Sequence, residues 1–98
     1  MTHPQRVVAG IAWFRSDQWQ LLRSLASDPD VLEQTHAEWE TFAEKGIKDL
    51  AREGVLVRKV DVDVNDLRAW CIGQNRLLDG AARAEYAATR LRDESANA

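Results

Sequence analysis

The chain holds one cysteine, Cys71, so no disulfide can form within it, and nothing asks for an oxidising compartment. It has two histidines, His3 and His36. With Cys71 they are too few and too far apart to supply the converging ligands of a metal site. Basic residues do not outnumber acidic ones: 13 Lys and Arg against 16 Asp and Glu give a formal net charge of −3. There is no overall basic field to condense on phosphates, so no nucleic-acid partner is expected. The five glycines, Gly10, Gly46, Gly54, Gly73 and Gly80, are scattered and form no phosphate-cradling loop. No apolar run approaches the roughly 20 residues of a membrane span. The run Val7–Phe14 is short for a signal core, and Arg15 and Asp17 follow it without a cleavage pattern. These absences predict a cytoplasmic protein with no membrane partner, no metal and no cofactor.

What is present is an ordinary globular balance, 45% hydrophobic and 30% charged over 98 residues. That predicts a single domain, 1–98, with 1–5 and 93–98 flexible at its ends. A chain this small has little spare stability for a deep active site. Binding or assembly is therefore the expected line of work rather than catalysis.

The apolar, β-branched run Val7–Phe14 predicts strand one. Val7, Ile11 and Trp13 fall on one face; Val8, Ala12 and Phe14 fall on the other. Ser16 reads as the N-cap of a helix from Asp17 to Ala26, striped by Trp19, Leu22 and Leu25. Pro29 closes that segment. Thr35-His36-Ala37-Glu38 is a capping box opening a second helix to Glu53. Its stripe is Trp39, Phe42, Ala43, Ile47 and Leu50. Gly46 interrupts it, which suggests a closely packed neighbour. Gly54 supplies the left-handed end. Val55–Val62 predicts strand two. Asp63 or Asn65 starts helix three, and Asp79 caps helix four, from Gly80 to Leu91. There, Ala82, Tyr86, Ala87 and Leu91 face inward, with Arg83, Glu85, Arg90 and Arg92 facing water.

The fold class is thus α+β, in the order β-α-α-β-α-α, with a two-stranded sheet and four helices. Both strand directions are open. The long Ser27–Gln34 connection tips the reading toward parallel strands joined by a crossover. Two strands make a poor sheet alone, and strand one is apolar on both faces. A homodimer extending the sheet to four strands across a two-fold axis answers both problems. Val8, Ile11, Trp13 and Trp39 are the candidate interface residues, with a further protein partner open. The competing account is that helix four or the N-terminal arm covers the edge.

The segment Val60-Asp61-Val62-Asp63-Val64-Asn65-Asp66 is the most suggestive. An EF-hand loop needs glycine and glutamate where Asp66 and Ile72 stand, so it is rejected. The Asp-x-Asp strand end of haloacid-dehalogenase phosphatases needs a larger doubly wound domain than this chain holds. If the strands are parallel, Arg15, Ser16 and Asp17 approach Asp61 and Asp63. Those five are the candidate ligand-binding cluster, for a small molecule or an anion. The plainer account is a surface ion pair and a helix cap. No nucleophile and base are paired, so no catalytic residue is assigned. The four tryptophans, Trp13, Trp19, Trp39 and Trp70, each fall on an apolar stripe and read first as core. Cys71, beside Trp70, reads as a small core hydrophobe.

Ala12-Trp13-Phe14-Arg15, Thr35-x-x-Glu38-Trp39, Lys59-Val60-Asp61-Val62-Asp63 and Ala69-Trp70-Cys71 together resemble small bacterial proteins of about a hundred residues. The resemblance spans most of the chain. It implies a bacterial cytoplasmic setting and carries no activity and no site residues.

Overall fold

A computed structural model describes residues 7–96. The elements follow the expected order. They are β1 (Val7–Phe14), α1 (Trp19–Leu25), α2 (His36–Arg52), β2 (Val55–Val62), α3 (Val64–Gly73) and α4 (Gly80–Ala96). Short 3-10 turns at Ser16–Gln18 and Pro29–Val31 flank α1. The expected flexible segment 1–5 lies outside the described residues, as do 97–98. The α4 helix runs on to Ala96, past the expected end at Leu91.

The two strands are parallel, in register from Val7 against Val55 to Phe14 against Val62. Side chains alternate, so one face carries Ala12, Phe14, Val60 and Val62, all buried. That face lies against α4. The contact is close at Gly10: a methyl there would meet Leu91 Cδ2 at 3.2 Å and the Ala87 carbonyl at 3.3 Å. The core continues through Trp19, Leu22, Val64, Leu67, Cys71, Ala82 and Ala87.

The opposite face carries Ala9, Ile11, Trp13 and Val57, and α2 lies over it. The N-cap half of the capping box forms: Thr35 Oγ1 accepts from the Glu38 amide at 3.2 Å, and the Thr35 hydroxyl donates to the Glu38 carboxylate at 2.9 Å. Gly54, at φ 84°, takes the left-handed conformation that ends the turn after α2. At the start of α2 an aromatic cluster fixes the helix. Trp39 stacks on Trp19 at 5.1 Å and meets Trp13 at 4.7 Å. His36 packs against both Trp19 and Trp39 and donates from Nε2 to the Phe14 carbonyl at 2.6 Å.

Three local expectations are corrected. Ser16 is not an N-cap. Arg15 occupies that position without a side-chain bond, and α1 begins only at Trp19. The polar anchor is Gln18, which is buried. Its Oε1 accepts from the Val64 amide at 2.9 Å and its Nε2 donates to Asp63 at 3.2 Å. Arg83 does not face water. Its guanidinium grips Asp28 at 2.8 and 3.1 Å, and Asp28 also accepts from the Gly80 amide. One carboxylate thereby ties the α1–α2 loop to the start of α4.

Gly46 has no close neighbour among the described residues: none lies within 4 Å of where its Cβ would sit. Glycine inside a helix costs about 1 kcal/mol relative to alanine. Gly46→Ala is therefore expected to raise unfolding stability of the dilute protein by about 1 kcal/mol. Urea melts check it; a loss of stability would mean the site is filled.

Candidate functional site

Parallel pairing puts both strand ends together, as the cluster reading required. Arg15, Asp61 and Asp63 meet there in a cleft of about 360 Å³. Asp66, Tyr86 and Arg90 complete its walls. Ser16 does not line the cleft. Asp17 sits outside it and pairs with Arg15 at 3.2 Å.

Asp63 is the busiest group in the cleft and acts as a helix cap. Its Oδ1 accepts from the amides of Asn65 and Asp66 at 2.9 and 3.1 Å. Its Oδ2 accepts from Gln18 at 3.2 Å and Arg15 at 3.5 Å. The Asp66 amide, and then Gln18 with the other donors, hold its carboxyl below the usual carboxylate range. With four donors on two oxygens, it has little left for a ligand. Asp61, Asp66, Tyr86 and Arg90 are the groups that remain. Burial pushes the Tyr86 phenol up, so it stays a hydrogen-bond donor at neutral pH. The cleft can hold a small polar molecule, and the described residues bring no paired nucleophile and base into it.

Tyr86 and Arg90 were not part of the sequence-level cluster. They lie one turn apart on α4, where the sequence reading turned Tyr86 inward and Arg90 toward water. Nothing local said that this face reaches the strand ends.

The second feature is apolar and larger. Beneath α2, a groove of about 450 Å³ runs between the helix and the sheet. Ala9, Ile11 and Val57 form its floor; Trp39, Phe42, Ala43, Gly46, Ile47 and Leu50 form its wall. No residue of α2 is buried, and Phe42 is 67% exposed. The stripe read as a core face is only partly covered. The reason is positional. The aromatic cluster anchors α2 at its first turns, and Glu44 pairs with Lys59 of β2. No further element of the described chain closes over the face. A smaller cavity, about 200 Å³, continues along β1 from Ile11 and Trp39 to Arg83 and Ala84.

The candidate interface residues divide between two faces. Ile11 and Trp39 line the groove. Trp13 is beside it, under Trp39, with the Lys59 ammonium 4.1 Å from its ring centre. Val8 lies on the α4 face, exposed beside Arg58, Leu91 and Arg92.

Cys71 is buried, and burial pushes its thiol up. It packs as a small hydrophobe and is not poised as a thiolate. No described helix is long and apolar enough to cross a membrane. Comparison of the chain with family models, curated proteins and solved structures returned no match.

Proposed function

We propose that this chain works by association, and that its first partner is a second copy of itself seated on the groove between α2 and β1. The observation that carries the reading is α2 itself: seventeen residues with an apolar stripe and none of them buried. Exposed apolar surface is common when scattered, but here it is contiguous with an open groove. Phe42 is a large side chain on the groove wall that the described residues leave mostly exposed. A two-stranded sheet gains most from added cover, and two-fold pairing of identical chains is the commonest way to obtain it. Extension of the sheet to four strands, a further protein partner and a cytoplasmic setting belong to the same reading.

Sedimentation velocity from micromolar to millimolar protein tests it. The wild type is expected to shift from one chain mass toward two. Phe42→Glu is expected to stay at one with an unchanged circular dichroism spectrum. A wild type that remains a single chain at millimolar concentration overturns the proposal.

The strand-end cleft supports a second reading, binding of a small polar molecule or anion. The observation in its favour is the meeting of Arg15, Asp61 and Asp63 with Arg90 and Tyr86. A ligand bound to the native state raises the melting temperature. A screen of phosphates, nucleotides and divalent ions that shifts melting, with the shift lost in Asp61→Ala and Arg90→Ala, supports it. A screen with no shift removes it.

A further inference from the structure

The self-association reading leaves open how two copies lie on one another, and α2 carries an answer in its charges. Glu38, Phe42, Lys45, Asp49 and Arg52 recur at steps of four, three, four and three residues. That spacing sets them along one flank of a helix. Two contacts confirm the shared flank: Asp49 meets Lys45 at 3.4 Å and Arg52 at 3.4 Å. All five side chains are exposed. The flank borders the open groove, since Phe42 also lines the groove wall.

The order of charge along this flank is negative, positive, negative, positive. Laid antiparallel on itself, the sequence becomes complementary. With the crossing at Gly46, position 46 + n lies opposite position 46 − n. Glu38 therefore falls within two positions of Arg52 of the partner subunit, and Lys45 within two positions of Asp49 of the partner subunit, about 3 Å along the axis. These pairs, each made twice by the two-fold, outweigh the single Lys45–Lys45 approach. Phe42 and Leu50 stand four residues either side of Gly46, so each Phe42 meets a Leu50 across the two-fold axis. Gly46 has open space where a side chain would sit, which lets the two helix backbones approach closely at the crossing. A parallel two-fold pair does the opposite: Glu38 faces Glu38, and Lys45 faces Lys45.

Resting on the self-association reading, we propose that the two copies pair through α2 in antiparallel fashion, crossing at Gly46, each helix seated in the other's groove. The charge order of the flank selects that direction. An isologous contact of this kind is closed, so it yields dimers rather than chains of subunits.

Two charge-block variants test the inference. Glu38→Lys with Asp49→Lys makes the flank wholly basic; Lys45→Glu with Arg52→Glu makes it wholly acidic. Each variant alone is expected to self-associate on the order of a hundredfold more weakly than the wild type, because like charges face each other. An equimolar mixture of the two is expected to recover association as a mixed dimer. Salt should shrink all of these differences. Every altered position is exposed, so the fold should survive, and circular dichroism checks it. A second variant needs no charge change: Gly46→Cys is expected to oxidise to a disulfide-linked dimer, while Lys48→Cys, outside the groove lining, is not. The outcomes separate cleanly. A wild type that is monomeric at millimolar concentration ends the self-association reading itself. A dimeric wild type whose two variants each pair undiminished overturns the antiparallel arrangement and leaves self-association standing. So does a mixture that stays monomeric while both variants remain folded.

Discussion

Trp19→Ala is expected to cost about 3–5 kcal/mol of folding stability, the usual range for emptying a large aromatic site. Trp19 is 1% exposed. It stacks on Trp39 at 5.1 Å, meets His36 at 5.8 Å and lies 6.2 Å from Phe14. Its Nε1 donates to the Glu33 carbonyl at 3.0 Å, so truncation also removes that carbonyl's indole donor. A domain of this size has about 5–15 kcal/mol in total. One substitution therefore removes a large fraction of it. The effect is not confined to stability, because Trp19 is the platform on which the start of α2 rests. Trp13→Ala is the natural comparison. Trp13 is only half-buried and packs at the rim of the same cluster, so its loss should be clearly smaller. Urea unfolding of the two variants side by side decides the point; equal losses would mean that the cluster is not centred on Trp19.

The second large effect is expected at Asp28. Asp28→Ala leaves the Arg83 guanidinium, 10% exposed as a side chain, without its carboxylate. Breaking a buried pair from one side strands a charge, and here the cost is expected at about 3 kcal/mol, the low end because Asp28 keeps some solvent. Changing both residues, Asp28→Ala with Arg83→Met, should cost less than the sum of the two single changes, since no charge is then stranded. A sum that is simply additive would contradict the coupling.

The same pair sets an acid sensitivity. The Arg83 hydrogen bonds, with the Gly80 amide, hold the Asp28 carboxyl below its ordinary value. A group depressed in the folded state contributes stability above its unfolded pKa, about 3.9 for aspartate. That contribution disappears as pH falls through the lower folded value. Stability should therefore decline below about pH 4, and less steeply in Arg83→Met.

Much of the architecture was legible because its signals are local. Thr35 and Glu38 announce the start of α2, Asp63 caps α3, and Gly54 closes the turn before β2; each acts within a few residues of itself. The length of the connection only tipped the reading toward parallel pairing, and the structure decided it. Residues whose roles depend on distant partners were not legible. Gln18 bonds to residues 45 and 46 positions away, and no spacing rule reaches that far. Arg83 was read as solvated because arginine usually is; its partner Asp28 lies 55 positions earlier. Gly46 was read through a general association between helical glycine and close packing. The described residues leave that space open, and only the proposed pairing of two copies would supply the neighbour.

The candidate cluster was legible in part for the same reason. Arg15, Asp61 and Asp63 flank the ends of two strands, so strand direction alone brings them together. Ser16 fails to join because the 3-10 turn carries it away from the cleft. Tyr86 and Arg90 reach it from α4, whose position over the sheet depends on the tight contact at Gly10. The stripe of α2 shows the limit of pattern reading in another way. Periodicity identifies a face that prefers to be covered, but it does not say whether the cover comes from the same chain.

Isotope-filtered nuclear Overhauser spectra on a mixture of labelled and unlabelled chains address that question most directly. At millimolar protein, contacts are expected from the Phe42 ring of one copy to Leu50 and Ile11 of the other. Absence of any transfer between copies, or transfer found only at Ile72 and Leu77, exposed apolar side chains away from the groove at 68% and 70%, would contradict the account.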